Sequence, residues 1–233
     1  MVDNVSGSQL AFPLAGDDKA SFENFLVGRN TEIVNALKSL TSQNEPKVVY
    51  LYGPEGSGKS HLLYALLRMA KLNDVATSYL SLQDEFVSPE MLEVMNFSGV
   101  VCLDNVHCWA GDDAKERALF TLFEQVKHGA GQLVLTAKQS PDMSEFLLRD
   151  LISRLSSGLI YALQELGDSQ RYDALKMRAN HRGLVITDDV LKYIVSRTPR
   201  DNTKLFALLD KIDKASLVEK RKITIPFLQH LLS

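Results

Sequence analysis

The 233-residue chain is 45% hydrophobic and 24% charged, with a formal net charge of −3, a composition ordinary for a globular protein with a sizeable core. That acidic balance argues against broad contact with a nucleic-acid backbone, which calls for a basic excess, so DNA would be reached through a partner. No apolar run approaches the ~18 residues of a bilayer span, and residues 1–20 lack the basic stretch and apolar core of a secretory signal.

Cys102 and Cys108 give no disulfide framework, which makes a reduced cytoplasm the simplest setting. With His107 between them they also lack a second ligand pair at metal-binding spacing. Residues 1–20 read as a flexible polar tail, interrupted by Gln9-Leu10-Ala11-Phe12-Pro13-Leu14. An apolar cluster held extended by Pro13 suits docking in a partner's groove; packing of Leu and Phe on its own domain is the alternative. A loop with aromatic anchors follows at residues 21–30, then an amphipathic helix capped by Thr31 and running to Leu40, with Ile33, Ala36, Leu37 and Leu40 on one face.

The run Val48 to Tyr52 has the β-branched and aromatic content of a buried strand. It leads into Gly53-Pro54-Glu55-Gly56-Ser57-Gly58-Lys59-Ser60, which fits G-x-x-x-x-G-K-S/T, and His61 to Ala70 continues as a mostly buried helix. Polyphosphate chemistry asks for this order. Glycines let successive backbone N–H groups point inward, and the helix N-terminus adds positive potential. Lys59 is placed to meet the β- and γ-phosphates, and the Ser60 hydroxyl to ligate Mg²⁺.

Further strands are predicted at Ala76–Leu82, Val100–Asp104, Leu133–Ala137 and Leu159–Leu163, with helices at Pro89–Met95 and Asp112–Lys127. Strands alternating with helices imply a parallel sheet covered on both faces, with ligand at the carboxyl ends of the strands. Asp104 ends an apolar strand and is the candidate second Mg²⁺ contact, partly through water. The next residue is Asn105, where active ATPases of this type carry Glu. An amide orients water but cannot take its proton, so unaided turnover is expected to be slow. After residue 163 the strand pattern ends, and Ser169–His181, Asp188–Arg197, Asn202–Glu219 and Phe227–Leu232 read as helices of a smaller domain.

The segment Phe22-Glu23-Asn24-Phe25-Leu26-Val27-Gly28 resembles the T-F-D-N-F-V-V-G stretch ahead of the glycine loop in the replication initiator DnaA. From residue 21 to about 230 the chain is similar to AAA+ ATPases of the DnaA branch. It stops where DnaA would begin its helix-turn-helix domain and lacks DnaA's long N-terminal region. A DnaA-like core behind a Q-L-x-x-P-L tail is similar to the Hda family of regulatory inactivators of DnaA.

The resemblance implies an AAA+ P-loop α/β domain with a parallel five-stranded sheet over 21–163 and a helical lid domain over 164–233, binding ADP or ATP with Mg²⁺. It implies that Phe25, Leu26 and Val27 pack near the adenine, that Gly53 to Ser60 are Walker A and Asp104 Walker B, that Arg154 is an arginine finger, and that Arg200 is sensor 2. Gln9, Leu10, Phe12, Pro13 and Leu14 would dock on the DNA polymerase sliding clamp, with Phe12 where Leu is more usual. Thr136-Ala137-Lys138 departs from the T-S-D-like sensor 1 triplet, which puts water positioning there in doubt.

Two functions follow from these expectations. One is a negative regulator of replication initiation that docks on the clamp and presents Arg154 to ATP held by DnaA, associated with the nucleoid through the clamp; a homo-oligomer is compatible with it. The other is a free-standing motor or loader ATPase remodelling protein or DNA by its own turnover.

Overall fold

The computed structural model describes residues 20–42, 47–94, 99–129, 131–198, 202–219 and 222–232. Gln9 to Leu14 and Arg200 lie outside them. Helix α1 (Thr31–Ser39) precedes strand β1 (Lys47–Tyr52) and helix α2 (Lys59–Leu72). Then come β2 (Thr77–Ser81), α3 (Pro89–Glu93), β3 (Val100–Asp104), α4 (Asp113–His128) and β4 (Gln132–Ala137). Helix α5 (Arg149–Ser156) leads into β5 (Leu159–Ala162), and α6 (Asp168–His181), α7 (Asp188–Arg197), α8 (Asn202–Glu219) and α9 (Ile225–Leu232) complete the order.

The sheet is parallel with strand order β2-β3-β4-β1-β5. Its central strands are apolar on both faces because each face is covered, as the crossover helices of a parallel sheet require. Val49, Leu51, Cys102 and Val134 meet α1 and α2 through Leu37, Leu62, Leu63 and Leu66. The alternate residues Tyr50, Leu103 and Leu135 meet α4 and α5 through Leu122, Phe123, Leu151 and Leu155, with Trp109 in the same layer. A separate core of Leu175, Leu191, Ile194, Leu205, Leu209, Ile212 and Leu228 holds α6 to α9 together as the lid.

Two features differ from the sequence expectations. Thr31 is the first residue of α1 rather than its cap: Asn30 occupies the cap position without capping, because its Oδ1 accepts the Gln164 N–H at 3.1 Å. That contact ties the start of α1 to the segment between β5 and α6. The eight-residue α5, whose last turn carries Arg154, is an addition to the predicted elements. No helix among the described residues is long and apolar enough to cross a membrane.

Candidate functional site

The glycine loop runs from the carboxyl end of β1 into α2, as its sequence demands. Gly58 sits at the helix start with φ +97°, and a Cβ there would lie 2.7 Å from Cε2 of Phe25, so the loop has room for no side chain. Gly56, at φ +76°, is pressed from the other side: a Cβ would come within 3.1 Å of Thr203 Oγ1 and 3.3 Å of Asn202 Cβ, both at the start of α8. The loop is thus clamped between the Phe25 segment and the lid.

Lys59 is buried and spends its ammonium on the loop itself, donating to the carbonyl oxygens of Gly53 at 2.7 Å and Pro54 at 2.8 Å. Burial lowers its pKa below the usual lysine value. Asp104 and Glu55 pull it back up, and the cation of Lys138 pushes it down. A cation held partly against its preference, beside a glycine loop with no room for side chains, fits a polyphosphate.

At the adjacent strand end the Ser60 hydroxyl donates to Asp104 Oδ2 at 2.6 Å. A hydroxyl and a carboxylate at this separation are hard oxygen donors of the kind Mg²⁺ takes. The carboxylate is held from two further sides. Tyr79 Oη donates to Oδ2 at 3.2 Å, and the buried Thr136 hydroxyl donates to Oδ1. Thr136 in turn accepts the Asn105 N–H at 2.9 Å. Tyr79 is half-buried beside this anion and next to Tyr64, and its partial burial pushes the phenol up, out of the range in which it could ionise.

Asn105 has the left-handed backbone (φ 61°) that Asn tolerates. Its side-chain amide lies 3.4 Å from Gln83 Oε1, so the position after Asp104 offers an amide rather than a base.

Of the residues expected near the base, Phe25 is buried against the loop and stacks tilted on His61, 5.5 Å between centroids, while Leu26 and Val27 are half-buried beside it. His61 joins three parts of the chain. Its Nε2 meets the Ser21 carbonyl at 3.0 Å, which only accepts, so Nε2 carries the hydrogen and Nδ1 accepts from Arg178 Nη2 at 2.7 Å. Arg178 belongs to α6, and its guanidinium lies 3.7 Å from the Phe206 ring centroid in α8. A cavity of about 320 Å³, lined by Glu165, Leu166, Gly167, Asp168, Arg171 and Asn202, opens between the end of the sheet domain and the lid.

Arg154 stands elsewhere, on the flank formed by α4 and α5. Its Nε is 2.8 Å from Glu124 Oε1, with side-chain exposures of 39% and 27%. The start of α5 is tied to the same helix by Glu116, which is fully buried and accepts N–H groups of Gly111 (2.8 Å), Leu147 (2.9 and 3.0 Å) and Leu148 (2.7 Å). The structure therefore brings Gly53 to His61, Asp104 and the Phe25 segment together, and holds Arg154 apart on a half-exposed flank. Tyr79, Thr136, Glu116, Glu124 and Arg178 were not singled out from the sequence for these contacts. Thr136 was visible only as a member of the departing triplet.

The chain was compared with known families and structures. A family model for the bacterial DnaA ATPase domain matches residues 17–162, and one for the Hda lid domain matches residues 168–232. Domain III of DnaA from Thermotoga maritima is 20% identical, with a TM-score of 0.78 over 93% of this chain and 96% of that one. DnaA from Aquifex aeolicus with bound AMPPCP is 23% identical, with a TM-score of 0.66 over 84% of this chain and 65% of that one. The Holliday-junction branch-migration motor RuvB from Thermotoga maritima is 18% identical, with a TM-score of 0.68 over 93% and 72%. At these identities the solved structures establish the fold alone. The family models carry more: one spans the sheet domain with its glycine loop and Asp104, the other the four helices behind it, and the chain therefore belongs to the DnaA-related AAA+ family, close to Hda.

Proposed function

We propose that this chain is a nucleotide-bound regulator of replication initiation that stimulates hydrolysis of ATP held by DnaA. In this reading Gly53 to His61 cradle the phosphates of ADP or ATP, with Phe25, Leu26 and Val27 near the base and Arg200 completing the site from the lid. Ser60 and Asp104 hold Mg²⁺, which when bound neutralises charge on the phosphate oxygens. Lys59 exchanges its loop carbonyls for phosphate oxygens. Thr136 and Tyr79 donate to the Asp104 carboxylate and keep it aimed. Gln9, Leu10, Phe12, Pro13 and Leu14 dock on the sliding clamp and so bring the chain to DNA.

The observation that carries the reading is the gathering of Lys59, Ser60 and Asp104 around the glycine loop, with Asn105 where a base is needed. Such a site holds nucleotide without using it quickly, and leaves nucleotide as a structural element of the fold. The chemical contribution then comes from Arg154, half-exposed on the opposite flank. During γ-phosphoryl transfer, charge spreads over oxygens that a weakly activating site cannot neutralise alone, and a guanidinium from an adjacent subunit accelerates hydrolysis by about 10³ to 10⁵ in related systems.

The test is hydrolysis of labelled ATP preloaded on DnaA, with this protein and clamp-loaded DNA each omitted in turn. Wild type accelerates hydrolysis only with the clamp and DNA present. Arg154→Ala folds, binds nucleotide and binds the clamp, yet fails to accelerate. Arg154→Lys restores only a small part, because lysine keeps the charge but loses the planar fork. Full stimulation by Arg154→Ala would remove the trans-finger mechanism. Turnover near 1 s⁻¹ by the isolated protein, an ordinary enzyme rate, would instead mark a self-sufficient ATPase.

A further inference from the structure

Helix α5 is fixed to α4 along its length. Its first turn hangs from the Glu116 carboxylate through the N–H groups of Leu147 and Leu148. Its apolar side, Leu151 and Leu155, is buried in the α4 layer of the core, and Ser156 Oγ donates to Asp142 Oδ1 at 3.2 Å beyond the last turn. With the backbone pinned at both ends, the freedom left to Arg154 is that of its long side chain. A half-exposed arginine without a neighbour would sample many rotamers, and an ordered guanidinium loses less freedom on meeting phosphate.

The neighbour is Glu124. It contacts Nε, the guanidinium nitrogen closest to the chain, at 2.8 Å. The two terminal nitrogens lie beyond that contact, and they are the groups a phosphate fork engages. We infer that Glu124 is a positioning residue for Arg154: it holds the guanidinium by its inner nitrogen and presents the outer edge to the nucleotide of an adjacent subunit. The inference rests on the trans-finger reading proposed above and adds to it the residue that aims the finger. Glu124 touches neither nucleotide nor water in this scheme. Its charge opposes phosphate weakly, because the pair is part-exposed and screened by solvent.

The experiment follows hydrolysis of ATP preloaded on DnaA over a titration of this protein with clamp-loaded DNA, separating maximal rate from half-saturating concentration. Loss of a part-exposed ion pair changes the ratio of aimed to other conformers by at most about fivefold, so Glu124→Ala lowers the maximal rate by up to that factor and leaves half-saturation unchanged. Glu124→Gln keeps the shape but not the charge, and because the contact at Oε1 is an ion pair without hydrogen-bond geometry it recovers little of the rate. Glu124→Ala in an Arg154→Ala background adds no further loss, since nothing remains to be aimed.

A Glu124→Ala protein with an undiminished maximal rate would overturn the inference while leaving the finger intact. An effect confined to half-saturation would overturn it too, by making Glu124 a docking contact. Full stimulation by Arg154→Ala in the same series would overturn the finger itself.

Discussion

Glu116 is the most exacting place to test how α5 is held, because replacing it with the isosteric Gln leaves volume unchanged. The carboxylate is fully buried and accepts from backbone donors: Gly111 and Leu147 on Oε1, Leu147 and Leu148 on Oε2. Three N–H groups, that of Leu147 shared between the two oxygens, need acceptors, and a carboxylate supplies them on both sides. An amide in either orientation turns an NH₂ toward a backbone N–H, losing one or two charge-assisted hydrogen bonds and creating a donor–donor clash.

A hydrogen bond to a charged group contributes about 1.5–3 kcal/mol, and a buried donor left unmet costs about 1–3 kcal/mol. Relief of the carboxylate's own desolvation offsets part of this. The net expectation is a loss of roughly 2–3 kcal/mol for Glu116→Gln and about 3–4 kcal/mol for Glu116→Ala, which also opens a cavity. Urea unfolding at fixed nucleotide concentration measures the loss as a lower midpoint with unchanged slope. Native-state amide exchange locates it, with protection lost first at Leu147 and Leu148. If Glu116→Gln stays within about 0.5 kcal/mol of wild type, the range of an ordinary surface change, with Leu148 still protected, the carboxylate is not what holds α5.

Two other expectations follow from the same reasoning. Lys59→Ala removes the ammonium while leaving the glycines in place, so wild type gains thermal stability with ADP–Mg²⁺ and the variant gains far less; equal shifts would mean that the loop does not cradle phosphate. Replacing Gln9, Leu10 and Phe12 together by Ala abolishes clamp binding in a pull-down or surface-binding assay at unchanged melting temperature. Destabilisation with clamp binding retained would assign those residues to the folded core.

Much of this architecture was legible in the chain, and the parts that were not share a physical cause. Val100 to Asp104 reads as a buried strand ending in a carboxylate because apolar runs and a strand-end acid are local signals, and it is one. The glycine spacing likewise declares its own loop. Helix α5 escaped because Arg149 to Ser156 is only about two turns long, and its apolar residues Leu151, Ile152 and Leu155 are too few to stand out as a period. Glu116 lies in a helix rich in Asp, Lys, Glu and Arg, where one more acid looks like a solvated face; only the fold shows it turned inward onto backbone 31 residues away. Asn30 looked like part of a loop ahead of a Thr cap, yet its side chain is claimed by Gln164, a partner 134 positions distant. Local pattern reports what a residue can do, and distant partners decide among those uses.

The contacts at Gly56 and His61 have a consequence for regulation. Thr203 of α8 bears on the outside of the loop, and Arg178 of α6 holds the first turn of α2 through His61. The glycine loop, the first turn of α2 and the helices of the lid are therefore parts of one mechanical linkage. Nucleotide that reshapes the loop does work on the lid, and by thermodynamic reciprocity a protein that favours one lid posture alters nucleotide affinity by the same factor. Occupancy of this chain's own site would then be readable from outside without any phosphate being cleaved, and a partner seated on the lid helices would shift nucleotide affinity in turn.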